Sequence, residues 1–102
     1  MSTYSPDGHV FLKIQTTKET IYKVMGSWDG GYVTSDEWRI NSGIKSITED
    51  NGMLNIVGSS GSIYRVPKEG RGLNMYAQGI LEQLGSSSFT IISIEELMEV
   101  FT

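Results

Sequence analysis

Three basic residues stand close together shortly before a predicted helix. Arg65, Lys68 and Arg71 lie within seven positions, and the whole chain has only eight Lys and Arg. The apolar stripe of the helix begins at Leu73, and the unpaired backbone N–H groups at a helix start attract anions. The spacing therefore predicts a site for a nucleotide or another small anion. The simpler interpretation, a solvated connection between a strand and a helix, is favoured over it.

A second group of residues combines aromatic rings with acidic side chains. Its members are Trp28, Asp29, Tyr32, Asp36 and Glu37, and Gly30-Gly31 lies between the two aromatics. Trp dominates the binding energy of many protein interfaces, and binding residues concentrate in loops. The acidic surroundings favour a protein partner over nucleic acid. Packing of Trp28 onto the core is the competing interpretation.

The residues needed for most enzymatic chemistry are missing from the sequence. The chain has one histidine, His9, and no cysteine, so it lacks thiolate ligands and cysteine nucleophiles. No Gly-x-Ser-x-Gly motif precedes a helix. His9 begins a predicted strand, where an exposed or structural role is the expectation. We expect no catalytic residues, no cofactor and no metal site; an enzyme with convergent carboxylates ranks third among the functions considered.

Glycine-rich and acidic segments have local structural explanations. The run Gly58–Ser62 resembles a phosphate loop, but a strand follows it, which predicts a hairpin turn. The net charge of −4 arises between Gly72 and Thr102, where Glu82, Glu95, Glu96 and Glu99 meet no basic residue. Two of these glutamates fall in the first turn of a predicted helix, where they offset the helix dipole. The acidic end therefore says little about partners.

Size and composition favour one small domain, covering residues 1–102. The absence of cysteine suits a reducing compartment. No secretion signal is recognisable at the N-terminus, and no apolar run approaches the length of about 20 residues that spans a bilayer. We expect a cytoplasmic protein. Its acidic balance argues against direct binding to nucleic acid.

Alternating apolar residues and turn signals predict short strands through the first two-thirds of the chain. Trp38 and Ile40 are expected to point inward from one of these strands. Asn51-Gly52 is the strongest hairpin signal, because both residues accept the positive φ of a two-residue turn. Pro67 is expected to end a strand. The predicted strands are His9–Ile14, Thr20–Met25, Glu37–Asn41, Ile44–Thr48, Met53–Val57, Ser62–Val66 and Phe89–Ile92.

Two helices are predicted in the last third of the chain. Apolar residues between Leu73 and Leu84 recur with helical spacing, and Gly85 is placed to cap the helix end. Ser93 begins the second helix through a capping box with Glu96.

These elements predict an α+β fold. The expected core is a strongly bent antiparallel meander of four to six short strands. Whether it curls into a barrel-like shape is left open. One amphipathic helix covers it, and a short C-terminal helix follows. The leading function is a non-enzymatic module that binds another protein, as an inhibitor or adaptor of a larger enzyme or as an acidic decoy. The alternative is binding of a small anionic or nucleotide ligand at Arg65, Lys68 and Arg71. Association with a second copy of the chain is left open.

Overall fold

The computed structural model describes residues 3–28, 37–68, 72–73, 75–84 and 89–101. Eight strands and two helices lie in these ranges. They are β1 (Thr3–Tyr4), β2 (Gly8–Gln15), β3 (Thr20–Trp28), β4 (Glu37–Ile40), β5 (Ile44–Asp50), β6 (Met53–Gly58), β7 (Ile63–Pro67), α1 (Met75–Leu84), β8 (Thr90–Ile92) and α2 (Ile94–Phe101).

The strands form two four-stranded sheets. The order β4-β3-β2-β8 makes the central sheet, and the order β1-β7-β6-β5 makes the outer sheet. All neighbours are antiparallel except β1 and β7, which are parallel. The α+β class with antiparallel sheets is therefore confirmed. The single bent meander of four to six strands is not what forms, and the barrel-like curl is not confirmed.

The chain passes from the central sheet to the outer sheet between β4 and β5. Asn41 is buried there, and its side-chain Oδ1 accepts a hydrogen bond from the Val24 backbone N–H at 2.9 Å. Gly43 follows with a φ of 145°, a conformation that favours glycine. Gly43 thus permits the change of direction between the two strands. The local sequence does not show that these strands join different sheets.

Both faces of the central sheet are covered, because its residues alternate between two clusters. On one face Phe11, Val24 and Ile92 pack against Leu54, Ile56, Tyr64 and Val66 of the outer sheet and Leu97 of α2. On the other face Leu12 and Met25 pack against Leu73, Ala77 and Leu81, which α1 and the residues before it supply. The central sheet is thus the middle layer of three.

The local signals are confirmed at one hairpin turn, at the end of β7 and at the start of α2. Asn51 and Gly52 have φ angles of 52° and 78°, as a two-residue hairpin turn requires. Pro67 is the last residue of β7. The Glu96 backbone N–H donates to Ser93 Oγ at 3.1 Å, which completes the predicted cap of α2. The residues in each of these contacts lie close together in the sequence, so their types are enough to predict the contact.

The first helix differs from its predicted pattern at both ends. It begins at Met75, two residues after the predicted start, while Leu73 still packs against the central sheet. Leu84 was expected in the buried stripe but is 49% exposed, whereas Leu81, three residues earlier, still packs against the central sheet. Gly85 lies outside the described residues. No helix in the described ranges is long and apolar enough to cross a membrane.

Candidate functional site

Trp28 is the last residue of β3 and lies half-buried between the two sheets. Its indole N–H donates to the Ser5 carbonyl oxygen at 3.1 Å. The predicted strand was expected to stop at Met25. It continues because Gly26 still pairs with the neighbouring strands, and a Cβ on Gly26 would come within 2.7 Å of Pro6 Cβ. Glycine at this position lets the chain before β2 cross close to β3.

An aromatic cluster joins Trp28 to the outer sheet. The Tyr4 ring of β1 stands edge-on to Trp28 at 6.3 Å between ring centroids and packs on Tyr64 at 5.3 Å. The Arg39 guanidinium of β4 lies 4.6 Å above the Tyr4 ring and donates to its hydroxyl at 3.2 Å. The cluster therefore connects strands of both sheets at one end of the molecule.

Tyr64 is fully buried in this cluster, and its hydroxyl has no hydrogen-bond partner among the described residues. Burial raises the pKa of Tyr64 to about 12, against a smaller opposing effect of the Arg39 charge. The ring stabilises the fold by packing, whereas the buried hydroxyl is an unsatisfied polar group. Because burial disfavours loss of the hydroxyl proton, we expect the folded protein to lose stability in alkaline solution.

Trp38 lies beside Trp28 across the strand pair but points to the other face of the central sheet. The register pairs Ser27 with Trp38 and Trp28 with Glu37. Trp38 is 37% exposed, so the prediction that it points into the core is wrong. Ile40, two residues further along, reaches the cluster beneath α1. Trp38 lies beyond the area that α1 covers.

The predicted protein-binding residues are only partly described by the structure. Trp28 and Glu37 are register partners, and Glu37 is exposed at the start of β4. Asp29, Tyr32 and Asp36 lie outside the described residues. The structure adds Trp38, which sequence reasoning had assigned to the core. Its signal was the position of Trp38 on a short strand with charged neighbours, which is typical of a sheet edge.

The basic residues of the predicted anion site diverge. Arg65 donates to Asn55 Oδ1 at 2.7 Å and lies 4.0 Å from Asp50. Lys68 Nζ is 3.1 Å from Glu49 Oε1. Asn55 belongs to the uncovered face of the outer sheet, whereas Lys68 lines a cavity beside β2. Arg71 lies outside the described residues. The side chains of Arg65 and Lys68 therefore do not meet at one ligand position.

His9 is buried, so of the two roles expected for it, exposed or structural, its position agrees with the structural one. It is 7% exposed, stands edge-on to Phe11 at 5.1 Å, and lines the same cavity as Lys68. Burial lowers the pKa of His9, which favours the neutral imidazole. The alternation of His9 with Phe11 along β2 was the available signal, since both point towards the outer sheet.

No group of three or more His, Cys, Asp or Glu in the described part of the chain is placed to hold a metal ion. The run Gly58–Ser62 forms a tight turn, in which the Gly58 N–H donates to the Ser62 carbonyl at 2.8 Å. The predicted hairpin is thus confirmed there.

No protein-family model matches the chain, and no curated protein or solved structure is significantly similar to it.

Proposed function

We propose that this chain is a cytoplasmic protein-binding module that contacts its partner along the edge of β4. The observation that supports it is the exposure of Trp38 on that edge strand. A partly exposed tryptophan offers a large apolar surface that a partner protein can bury. The module acts as an inhibitor or adaptor of a larger enzyme, without chemistry of its own.

The edge of β4 has hydrogen-bonding capacity as well as an aromatic anchor. β4 is a terminal strand of the central sheet, and no described strand pairs with its outer side. A terminal strand presents backbone N–H and C=O groups that can pair with an added strand. Partners that add a strand in this way gain affinity from the backbone and specificity from alternate side chains. The surface thus favours an extended segment of the partner.

The side chains of β4 define what that segment should carry. Trp38 and Ile40 point to one face of the central sheet, while Glu37 and Arg39 point to the other. The Arg39 guanidinium already packs on the Tyr4 ring. No described cation forms an ion pair with Glu37. Directly opposite residues on paired strands interact most strongly. A matching segment therefore places an apolar residue beside Trp38 and a basic residue beside Glu37.

A single-tryptophan variant tests the proposal directly. The chain has two Trp, so Trp28→Phe leaves Trp38 as the only indole. We expect titration with an extended peptide of alternating Lys and Val to shift its fluorescence to shorter wavelength and to saturate. A central interface tryptophan contributes about 2 kcal/mol, so Trp38→Ala should weaken peptide binding about thirtyfold. Isothermal titration calorimetry measures this loss, because the variant lacks the reporting indole.

A matched control removes another exposed apolar side chain. Met75 of α1 is 90% exposed and lies on a different element, so Met75→Ala should leave the peptide affinity unchanged. The same peptide with proline in place of the central Val cannot complete the backbone ladder and should bind poorly. Equal affinity for the Trp38→Ala and Met75→Ala variants, or no binding by either, would contradict the proposal.

A further inference from the structure

A second candidate site is a cavity of about 210 Å³ beside β2, away from the edge of β4. It lies where the chain between β7 and α1 passes the start of β2. A Cβ on Gly8 would collide with the Gly72 carbonyl oxygen, so Gly8 is what lets the two segments approach. The residues that line the cavity are His9, Val10, Phe11, Lys68, Gly72, Ile91, Ile92 and Ile94.

Among the described lining residues, the side chains are apolar except at two positions. Phe11, the three isoleucines and Val10 supply hydrocarbon surface, whereas His9 and Lys68 are the polar ones. Neither Asp nor Glu occurs in this described part of the lining. Ligand sites commonly have this composition, in which apolar walls hold the ligand and a few polar groups fix its orientation.

His9 supplies a buried polar atom that lacks a partner. The side chain is 7% exposed, and Nδ1 has no hydrogen-bond partner among the described residues. Buried polar groups in proteins are nearly always hydrogen-bonded, so each exception calls for a physical explanation. Nδ1 itself has almost no solvent-accessible area, so other atoms of the ring line the cavity. His9 therefore contributes part of the wall, and its ring reports on what binds there.

Lys68 supplies the positive charge of the cavity. Its ammonium group lies 3.1 Å from Glu49, and its side chain is 45% exposed, so the ion pair is solvated and weak. A carboxylate entering the cavity can accept a hydrogen bond from the same ammonium, which has three N–H donors. Glu49 then competes with the ligand, and it limits the affinity without blocking the site.

The volume shows how much of a ligand the cavity can take up. At about 30 Å³ per water molecule, it has the volume of roughly seven waters. Pockets for drug-sized molecules start at about 300 Å³. A nucleotide would therefore extend out of the cavity, whereas a monocarboxylate with a compact apolar body fits within it.

The geometry points to a binding site for a small apolar carboxylic acid, whose body packs on Phe11 and the isoleucines beside the His9 ring and whose charged end reaches Lys68. This moves the small-ligand alternative from the residues 65–72 loop into the cavity beside it. It is independent of the proposed contact along β4, and either can fail without the other.

The single histidine makes the experiment specific, because the ring of His9 gives one set of imidazole NMR signals. Benzoate, benzyl alcohol and acetate are titrated separately into the wild-type protein. Benzoate should shift the His9 signals saturably and raise the melting temperature. Benzyl alcohol lacks the charge and acetate lacks the apolar body, so both should bind at least about tenfold more weakly.

Two lysine variants show whether the carboxylate is recognised at the cavity. Lys68→Gln removes the charge and should weaken benzoate binding about tenfold. Lys45→Gln removes an exposed lysine of β5 and should leave the affinity unchanged. The proposal is overturned by a dissociation constant above about 10 mM for benzoate. It is equally overturned by shifts of the same size with acetate, or by unchanged affinity in Lys68→Gln. Because the three ligands are compared on the wild-type protein, the test does not depend on the folding of a variant.

Discussion

The two tryptophans of this chain occupy adjacent positions on the same pair of strands, yet their surroundings differ. Trp28 ends β3, donates a hydrogen bond to Ser5 and packs against Tyr4. Trp38 lies one register position away on β4 and is more than a third exposed. A shift of one residue along a strand reverses the face to which a side chain points. The two residues therefore meet different layers.

The difference shows that coverage of a face, and not residue type, decides which tryptophan is buried. The Trp28 face is closed by the outer sheet, and Tyr4 of β1 reaches over to it. The opposite face is covered by α1 over Leu12 and Met25, but that cover stops short of Trp38. We infer that Trp28 stabilises the fold and that Trp38 is available for binding.

The largest expected effect separates the two tryptophans by stability. Trp28→Ala removes a half-buried ring and a hydrogen bond, so it should lower the free energy of unfolding by about 3 kcal/mol or more. Trp38→Ala should lower it less, by about 1 kcal/mol, because Trp38 is already 37% exposed in the folded protein. Chemical denaturation of both variants measures the difference. Equal losses would show that the division between a structural and a binding tryptophan is wrong.

A second prediction concerns pH and only the Trp28 face. Because the pKa of Tyr64 is raised to about 12, the folded protein keeps this proton between pH 10 and 12 while the unfolded chain loses it. The stability from Tyr64 is therefore complete below pH 10 and falls by about 2–3 kcal/mol as the pH rises to about 12.

The control for this pH effect is Tyr64→Phe, which keeps the ring and removes the hydroxyl. At neutral pH the variant should be as stable as the wild type or more stable, since it eliminates an unsatisfied buried group. Denaturation curves from pH 9 to pH 12 should then lack the part of the decline that Tyr64 causes. The same decline in both proteins would show that Tyr64 ionises freely in the folded state.

The smallest predicted effect concerns the contact that ties β4 to the Trp28 face. Arg39→Met keeps much of the apolar side chain but loses the charge above the Tyr4 ring. An exposed cation–π contact contributes about 0.5–1 kcal/mol, so the loss of stability should be of that size. Lys45→Met on β5 is the matched control and should change stability less. A larger loss would mean that Arg39 holds the Trp28 cluster together.

Local parts of the fold could be predicted from sequence because neighbouring residues decide them. Ser93 and Glu96 form their cap within one turn, and Asn51-Gly52 closes its hairpin through its own backbone angles. Strand existence also follows from alternation, as in β6, where Leu54 and Ile56 are buried. Each of these signals acts over a few residues.

The arrangement of layers depends on contacts between distant residues, and the sequence carries no comparable signal for them. Alternation along β2 indicates two faces, but it does not reveal that a second sheet covers Phe11 while α1 covers Leu12. Trp38 was assigned to the core because the sequence does not show how far α1 covers its face of the sheet. The cavity beside His9 could not be predicted for the same reason, since its described wall comes from separate segments.

The parallel pairing of β1 with β7 has a consequence for how the chain folds. Thr3 and Tyr4 lie beside Ile63 and Tyr64, so the outer sheet is completed by two segments from opposite parts of the chain. Pairings between such distant segments slow folding, because the intervening chain must be ordered first. During synthesis β1 leaves the ribosome before β7, so the two strands cannot pair until β7 has also been made. We expect the contact between Trp28 and Tyr4 to gain its final form late in folding, after the β5–β6–β7 hairpins have formed.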